Sequence, residues 1–323
     1  MLNKTYYLGL DTSNYTTSIA VVDSDFNVIA DQRRSLRVKD SGLGLRQSEA
    51  LFQHNENIPN MLEGIFKIIS KDHIRAIGAS NKPRPIEGSY MPVFNAGINY
   101  GKVISTVLNC PLYLFSHQEG HIEAALSSSS FKESHTFNAL HLSGGTSEVL
   151  SIDNSGFGYG IKVIGGSKDI SFGQLIDRVG VALSYRFPCG EIMDQIATNY
   201  RGKNLHLLTS VPVDGLTFNL SGLESQCQRI IASHCDADAL IYEVFCIISQ
   251  SLCQITENSA GNNHSNKILF VGGVSASNFV RKFIMNYFND KEIIPVFGNP
   301  AFSTDNAVGC GILCAKSFIG YKG

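Results

Sequence analysis

Two similar hairpin patterns with polar tips, separated by nearly half the chain, constrain the fold of this sequence most strongly. In the first, the β-prone runs Tyr7–Leu10 and Ser18–Val22 flank a turn of small hydroxyl and amide residues. In the second, the runs Ala139–Leu142 and Val149–Ile152 flank the turn Ser143–Ser147. Short β-prone runs joined by such turns predict β-hairpins. Their repetition at this spacing predicts an internal duplication.

The rest of the chain alternates between helical and strand patterns. Leu51, Ile58, Leu62 and Ile65 recur at helical spacing, and Lys267–Val271 is a short apolar run typical of a buried strand. Such alternation predicts an α/β protein. The main predicted helices cover residues 48–70, 96–108, 173–186, 191–199, 221–234, 237–257, about 277–287 and 307–316.

A chain of 323 residues is long for one core and comfortable for two. We therefore expect two duplicated lobes. The N-terminal lobe would comprise residues 1–130 with a C-terminal helix at about 305–323, and the C-terminal lobe residues 131–304. The Ser-rich stretch Ser127–Ser130 is the best candidate for a linker. A central cleft between the lobes is the expected ligand site.

The charge balance excludes a general attraction to polyanions. The net charge is -2 and the isoelectric point is about 6.5. A polyanion such as tRNA would therefore need a local basic patch. The cluster Arg33, Arg34, Arg37, Lys39 and Arg46 fits a surface that tracks phosphates. A solvated loop is the more common explanation of such a run.

The sequence predicts a cytoplasmic protein. Residues 1–7 contain no apolar stretch of signal-peptide length, and no run approaches the length of a membrane span. No membrane partner is therefore expected. None of the eight cysteines forms a Cys-x-x-Cys pair. Those in apolar helical runs are expected to be buried, reduced thiols.

A His-x-x-x-His motif that begins at His117 is the sharpest local signal. Ser116 and Glu119 form a capping-box pattern, which predicts that a helix starts here. His117 and His121 then lie on one helix face, where two imidazoles can share a metal. Two surface histidines fit the spacing equally well. Asp305, in a polar turn before a helix of small residues, offers a third ligand or, equally, a helix cap.

Two glycine turns are candidate cradles for phosphate. Gly272 and Gly273 lie between a strand and an amphipathic helix that begins near Ser277. Glycines there let the backbone approach a ligand, and a helix N-terminus favours phosphate or ribose oxygens. The tip Ser143–Gly145 offers a similar cradle. Each turn is common in unrelated proteins, so neither identifies a function alone.

In combination, these elements resemble one family. Their order is Asp11-Thr12-Ser13, His117-x-x-x-His121, Ser143-Gly144-Gly145, Gly173–Asp177, Leu220–Leu223, Gly272–Ala276 and Ser303–Asn306. This combination is similar to the TsaD family of tRNA N6-adenosine threonylcarbamoyltransferases, formerly labelled glycoproteases, over almost the whole chain. The resemblance implies the α/β fold of the actin, Hsp70 and sugar-kinase ATPases, with two duplicated lobes around a central cleft.

The resemblance also implies a site. His117, His121 and Asp305 would bind a divalent metal, iron or zinc, beside ATP, AMP or an acyl-adenylate. In the family, threonylcarbamoyl passes from its mixed anhydride with AMP to N6 of an adenine in tRNA, and partner proteins of a threonylcarbamoylation complex would be expected. The implied nucleotide-binding residues are Thr12, Ser13, Asn14, Ser143, Gly144, Gly145, Asp169, Gly173, Asp177, Gly190, Gly272, Gly273 and Ser277.

The sequence departs from the family pattern at four positions that we take as candidate catalytic residues. Tyr15 replaces one acid of an adjacent pair in the first hairpin, and Thr146 replaces a histidine in the second. Lys82 and Arg84 stand in a loop that is Gly-Pro-Gly in the family. These two cations predict either a clamp for a carboxylate or phosphate, or a solvated loop.

We therefore expect a metal-dependent, nucleotide-binding transferase that acts through an acyl- or carbamoyl-adenylate on an altered substrate. The alternative is a noncatalytic nucleotide-binding subunit of a tRNA-modification complex. Retention of three ligands far apart in sequence favours the enzyme, whereas the lost acid pair and histidine favour the subunit. Peptidase activity is not expected, because Gln118 stands where a His-Glu-x-x-His protease carries its base.

Overall fold

The computed structural model describes residues 4–13, 15–38, 45–131, 135–156, 158–260 and 266–320. It divides into two compact units. The first unit comprises Met1–Ser129, Asn154–Gly160 and Phe302–Gly323, and the second comprises Ser130–Asp153 and Ile161–Ala301. Each unit has its own sheet and its own apolar core.

The strands are numbered along the chain. Their bounds are β1 (Tyr6–Asp11), β2 (Thr16–Asp23), β3 (Val28–Ser35), β4 (Ile74–Lys82), β5 (Leu112–Ser116), β6 (Thr136–Leu142), β7 (Ser147–Gly156), β8 (Gly158–Ser167), β9 (Val213–Asp214), β10 (Thr217–Phe218), β11 (Lys267–Val271) and β12 (Ile294–Phe297). The first sheet has the order β3-β2-β1-β4-β5, and the second has the order β12-β11-β6-β7-β8-β10-β9.

The helices are numbered in the same way. Their bounds are α1 (Gln47–Ile68), α2 (Asn95–Leu108), α3 (His117–Ser127), α4 (Phe172–Ala182), α5 (Gly190–Asn199), α6 (Ser221–Ala232), α7 (Ala237–Ala260), α8 (Asn278–Tyr287) and α9 (Val308–Ile319). The first unit contains α1, α2, α3 and α9, and the second contains the other five.

The two sheets repeat one topology. In each, an antiparallel hairpin leads the unit, and its first strand pairs in parallel with a strand that comes later in the chain. The order β8-β7-β6-β11-β12 therefore matches β3-β2-β1-β4-β5 strand for strand. This topology supports the predicted duplication, and both predicted hairpins are present.

The apolar cores explain two features of the sequence. Helix α7 is long and apolar enough by length and composition to cross a membrane, which the sequence analysis did not anticipate. However, 83% of its most apolar window is buried inside the second unit. The eight cysteines are free thiols, and all except Cys110 and Cys235 are buried, as predicted for those in apolar helices.

Candidate metal centre and nucleotide loops

The capping box at the start of α3 fixes the two histidines. The Ser116 hydroxyl accepts a hydrogen bond from the Glu119 amide at 3.2 Å, and the Glu119 carboxylate accepts one from the Ser116 amide at 2.7 Å. These two bonds satisfy two of the amides at this helix end that have no partner within the helix. His117 is the first residue of the helix, and His121 follows one turn later on the same face.

The structure brings His117, His121 and Asp305 together. The Nε2 atoms of the two imidazoles lie 2.9 Å apart, and each lies 3.5 Å from Oδ1 of Asp305. Ligand atoms about 2.0–2.2 Å from a tetrahedral ion lie roughly 3.3–3.6 Å from one another. The two separations of 3.5 Å match that spacing, whereas 2.9 Å between the imidazole nitrogens corresponds to an angle of about 90° at the ion, as in octahedral sites. Two imidazole nitrogens and one carboxylate oxygen can thus hold one divalent ion and leave a further position for a ligand.

Asp11, which the sequence analysis did not assign to the metal site, supports this arrangement. Its carboxylate is fully buried, and Oδ1 lies 3.3 Å from Nδ1 of His117. The hydroxyls of Ser13 and Ser80 donate to the same carboxylate. Donation from Nδ1 of His117 to Asp11 leaves the Nε2 lone pair directed at the metal position. Histidine ligands in metalloproteins commonly have such a carboxylate partner.

Two glycines allow the start of α9, which follows Asp305, to lie close to α3. A Cβ added at Gly309 would overlap the carbonyl oxygen of Gly120, so the two helix backbones are in direct contact. The side chain of Asn306 accepts from the Val308 amide at 3.0 Å and caps α9. Asn306 therefore has the capping role that was one alternative for Asp305, and the Asp305 carboxylate faces the histidines instead.

The charges at this site are strongly coupled. Burial lowers the pKa of His117, but Asp11 and Asp305 outweigh that effect and raise it to about 10. Burial and the neighbouring His117 lower the pKa of His121. The two imidazoles hold the pKa of Asp305 well below its usual range, against the effect of burial. The pocket thus favours one positive charge between two carboxylates, as a metal site does.

The other candidate residues of the first unit lie in different environments. The Thr12 hydroxyl bridges to α2, because it donates to the Val93 carbonyl and accepts from the Gly97 amide. Lys82 pairs in register with Ser116, immediately before α3. The Arg84 amide donates to Ser89 at 3.1 Å, and the Tyr15 carbonyl accepts from the Leu36 amide at 2.7 Å. Asn14 and Lys39 lie outside the described residues.

The basic patch is only partly available as a surface. Arg33 forms an ion pair with Asp31 at 2.6 Å, and its guanidinium donates to the Thr304 hydroxyl at 3.3 Å. Arg34 donates to the side chain of Asn57 at 3.3 Å. Arg33 therefore contacts the residue next to Asp305, a structural role that the charge pattern alone did not indicate.

In the second unit, loop 143–146 is held by its own hydroxyls. The Ser143 hydroxyl accepts from the amides of Gly145 and Thr146 at 3.3 and 3.0 Å. The Gly144 carbonyl accepts from the Ser171 hydroxyl at 2.8 Å. A Cβ at Gly173 would come within 2.6 Å of the Gly144 backbone. Gly173 is thus required for the close packing of α4 against this loop.

Gly272 occupies a backbone conformation that favours glycine. Its φ angle is +93°, and an added Cβ would lie 2.5 Å from the Leu142 carbonyl oxygen. At Gly273, Gly190, Gly144 and Gly145, by contrast, an added Cβ meets no atom within 4 Å. The open glycines leave space for a ligand, and their nucleotide-binding roles stay predictions.

Three buried or bonded carboxylates cap helices of the second unit. Asp169 accepts from the amides of Leu220 and Ser221 at the start of α6, at 2.8 and 2.9 Å. Asp177 accepts from the Cys189 amide at 2.8 Å, immediately before α5. For Asp169 and Asp177, the structure thus adds a capping role to the predicted nucleotide contacts.

The third carboxylate, Asp194, caps α8 and changes the interpretation of its N-terminus. It accepts from the Ser277 hydroxyl and from the amides of Asn278 and Phe279 at 2.9 and 3.0 Å. The sequence analysis expected these amides to favour phosphate or ribose oxygens. A protein carboxylate already occupies them, because Asp194 on α5 packs against this helix end. A nucleotide contact of Ser277 itself stays a prediction.

Comparison with known proteins decides the family. The family model "TsaD: tRNA N6-adenosine threonylcarbamoyltransferase" matches residues 27–310. The chain belongs to the TsaD family. Two relatives named tRNA N6-adenosine threonylcarbamoyltransferase come from Archaeoglobus fulgidus and Campylobacter hominis. The first is 24% identical over 88% of this chain and 82% of its own length. The second is 26% identical over 98% of this chain and 95% of its own length.

Solved structures of other proteins share the fold of this TsaD-family chain. Component A of the (R)-2-hydroxyglutaryl-CoA dehydratase of Acidaminococcus fermentans superposes with a TM-score of 0.58 at 14% identity, over 98% of this chain and 99% of that one. A ROK-family glucokinase from Streptomyces griseus superposes with a TM-score of 0.51 at 12% identity, over 97% and 99%. The fold is that of the actin, Hsp70 and sugar-kinase ATPases, as predicted.

Proposed function

We propose that the chain is a metal-dependent transferase that uses an acyl- or carbamoyl-adenylate as donor. The observation that carries this proposal is the cluster of His117, His121 and Asp305, with Asp11 behind His117. Three ligands from two distant segments, supported by a buried carboxylate, are costly to maintain without a bound ion. A bound iron or zinc ion would supply Lewis-acid stabilisation of the donor's oxygen atoms.

The chain's own residues would position the donor. Buried Asp11 fixes the ring of His117, and the backbone contact between Gly120 and Gly309 fixes Asp305. In the second unit, the open glycines of loop 143–146 and Gly273 would admit the adenylate phosphate. We place the protein in the cytoplasm, with tRNA and the partner proteins of a threonylcarbamoylation complex as its expected partners.

We further propose an altered substrate, because four candidate residues differ from the family pattern. Tyr15, Thr146, Lys82 and Arg84 would present hydroxyls and cations where the family pattern has acids, an imidazole and glycines. Recognition of buried polar groups depends on placed partners, so such exchanges leave the original substrate's groups unpaired. Lys82 lies beside the start of α3, which supports a contact with an anionic group of the substrate.

Transfer of threonylcarbamoyl to tRNA from supplied threonylcarbamoyl-adenylate tests the proposal, with a family enzyme as control. We expect weak transfer by this chain, with its metal still bound, and AMP release from another acyl-adenylate. Transfer at the control's rate, with or without partner proteins, would show that the substrate is the ordinary one. Nucleotide binding without AMP release from any acyl-adenylate would instead favour the noncatalytic subunit.

A further inference from the structure

A chain of polar side chains connects loop 143–146 to a buried histidine. Ser143 Oγ lies 2.7 Å from Thr146 Oγ1, which lies 3.4 Å from Nδ1 of His141 on β6. On the neighbouring strand, Oε2 of Glu148 lies 4.0 Å from the same nitrogen. The loop itself carries no titratable side chain. His141 therefore places an imidazole within reach of Thr146 from outside the loop.

The hydrogen-bond directions in this chain follow from its amides. Ser143 Oγ accepts from the amides of Gly145 and Thr146, so its own proton is available for Thr146 Oγ1. The Thr146 proton is then directed at Nδ1 of His141. A separation of 3.4 Å is long for this bond, but catalytic hydrogen bonds often shorten only when a ligand is present. All donors thus point from the loop toward the imidazole.

Burial disfavours a positive charge on the ring of His141, but one neighbouring carboxylate would stabilise it. The residue is 5% exposed, and Glu148 is its direct cross-strand partner. The other charged residues on the neighbouring strands are Asp153 and Lys267, and both lie at the end of the sheet away from His141. Asp153 is in register with Thr136, and Lys267 precedes Ile268, which is in register with Asn138. Residues 273–276, which also pack on β6, carry no charge. Glu148 is therefore the charged group of these elements that faces the imidazole, and its carboxylate would stabilise an imidazolium.

We propose that His141 is the general base of loop 143–146 and accepts, through Thr146, the proton that a bound nucleophile loses. This inference rests on the proposed function, because the acyl-adenylate supplies the leaving group. An amine nitrogen bonds to the acyl carbon, the bond from that carbon to the phosphate oxygen breaks, and AMP leaves with the electron pair. The amine proton moves to Thr146 Oγ1 as the Thr146 proton moves to Nδ1 of His141.

Histidine side-chain NMR tests the hydrogen bond without any substrate. In protein labelled with ¹⁵N at histidine, the His141 signal is the one that disappears in His141→Gln. At high pH we expect Nδ1 to be an unprotonated acceptor and Nε2 to carry the proton. Thr146→Val should shift the Nδ1 signal, and Thr146→Ser, which keeps the hydroxyl, should restore it. A protonated Nδ1 in the neutral ring, or no response to Thr146→Val, would overturn the proposal.

The pH dependence of AMP release tests the catalytic role, measured with whichever acyl-adenylate the wild-type chain turns over fastest, threonylcarbamoyl-adenylate included, and with an amine acceptor present. His141→Gln should lower kcat on the order of 100-fold and abolish the loss of rate toward acid pH. Glu148→Gln should move that loss to lower pH, because the imidazolium is less stabilised. His135→Gln, at an exposed position, should keep the wild-type profile.

A wild-type profile in His141→Gln would overturn the general-base role. If the wild-type chain releases no AMP above the solvent rate from any acyl-adenylate, while the NMR signals respond as expected, the proposed function fails. The proton path from Thr146 to His141 would still stand in that case, so the two failures are distinguishable.

Discussion

The buried carboxylate of Asp11 lies 3.3 Å from Nδ1 of His117, although the two residues are 106 positions apart in the chain. Strand β1 ends at Asp11, and β5 leads into the helix that begins at His117. The fold therefore pairs a carboxylate with the Nδ1 nitrogen of an imidazole in the candidate metal site. Such a pair sets the ring's orientation and raises its basicity toward the metal.

Asp11→Asn should weaken metal binding without removing a ligand. A neutral amide raises the basicity of the imidazole less than a carboxylate that accepts the proton of Nδ1. We therefore expect metal affinity to fall about 10- to 100-fold. Competition with a chelator of known affinity measures this change. Asp72→Asn, at an exposed carboxylate away from the site, is the matched control. Equal affinities for Asp11→Asn and the control would remove Asp11 from the metal site.

The contact between α3 and α9 should tolerate no side chain at Gly309. A methyl group there would overlap the Gly120 carbonyl, so Gly309→Ala should lower the free energy of unfolding by about 1–3 kcal/mol. It should also weaken metal binding, because Asp305 moves relative to the histidines. Gly222→Ala lies in an exposed helical position with open space and should stabilise by about 0.5–1 kcal/mol. Urea unfolding measures the free energy of unfolding of both variants. Similar changes in the two variants would contradict the close contact between α3 and α9.

Gly273 separates a ligand-binding role from a structural one. Its added Cβ meets no atom within 4 Å, so Gly273→Val should fold with nearly unchanged stability. If the turn contacts a nucleotide, calorimetry should show much weaker binding of ATP or AMP. Gly272→Ala provides the contrast, because φ of +93° and the nearby Leu142 carbonyl make that change destabilising. Unchanged nucleotide affinity in Gly273→Val would make the turn purely structural.

Sequence patterns predicted the parts of the fold that local chemistry specifies. The capping box of Ser116 and Glu119 and both leading hairpins are examples. Strand β3 was missed because its sequence, VIADQRRS, is polar and half exposed at a sheet edge. Such a strand lacks the apolar alternation on which strand prediction depends.

The missing parts of the site have a different cause. The sequence analysis recognised Asp11 only as part of a turn. Its contact with His117 forms only in the folded sheet, where the ends of β1 and β5 lie at the same edge. His141 was missed because it lies within an apolar strand and belongs to no recognisable sequence motif. Only the register of β6 with β7 places its ring opposite Glu148 and beside Thr146. Contacts of this kind depend on pairing between strands, which a single sequence does not display.

Asp169 should make the stability of the protein depend on pH. Burial raises the pKa of this carboxyl, but hydrogen bonds from the amides of Leu220, Ser221 and Ile170 and from the Ser221 side chain together lower it well below its usual value. Because this pKa is lowered in the folded state, Asp169 stabilises the fold at pH values above its unfolded-state pKa of about 4. This stabilisation is lost as the pH falls below that value. Asp169→Asn should therefore lower the unfolding temperature at neutral pH, and the difference should shrink below about pH 4. A difference independent of pH would contradict the ionised cap.

The metal content of the purified protein tests the central claim most directly. Elemental analysis should find about one iron or zinc ion per chain, because two imidazoles and one carboxylate converge on one position. His117→Ala with His121→Ala should lose that ion while keeping the fold by circular dichroism. His73→Ala with His135→Ala, which changes two histidines outside the cluster, should retain it. Full metal occupancy in the His117 and His121 double variant would contradict the site.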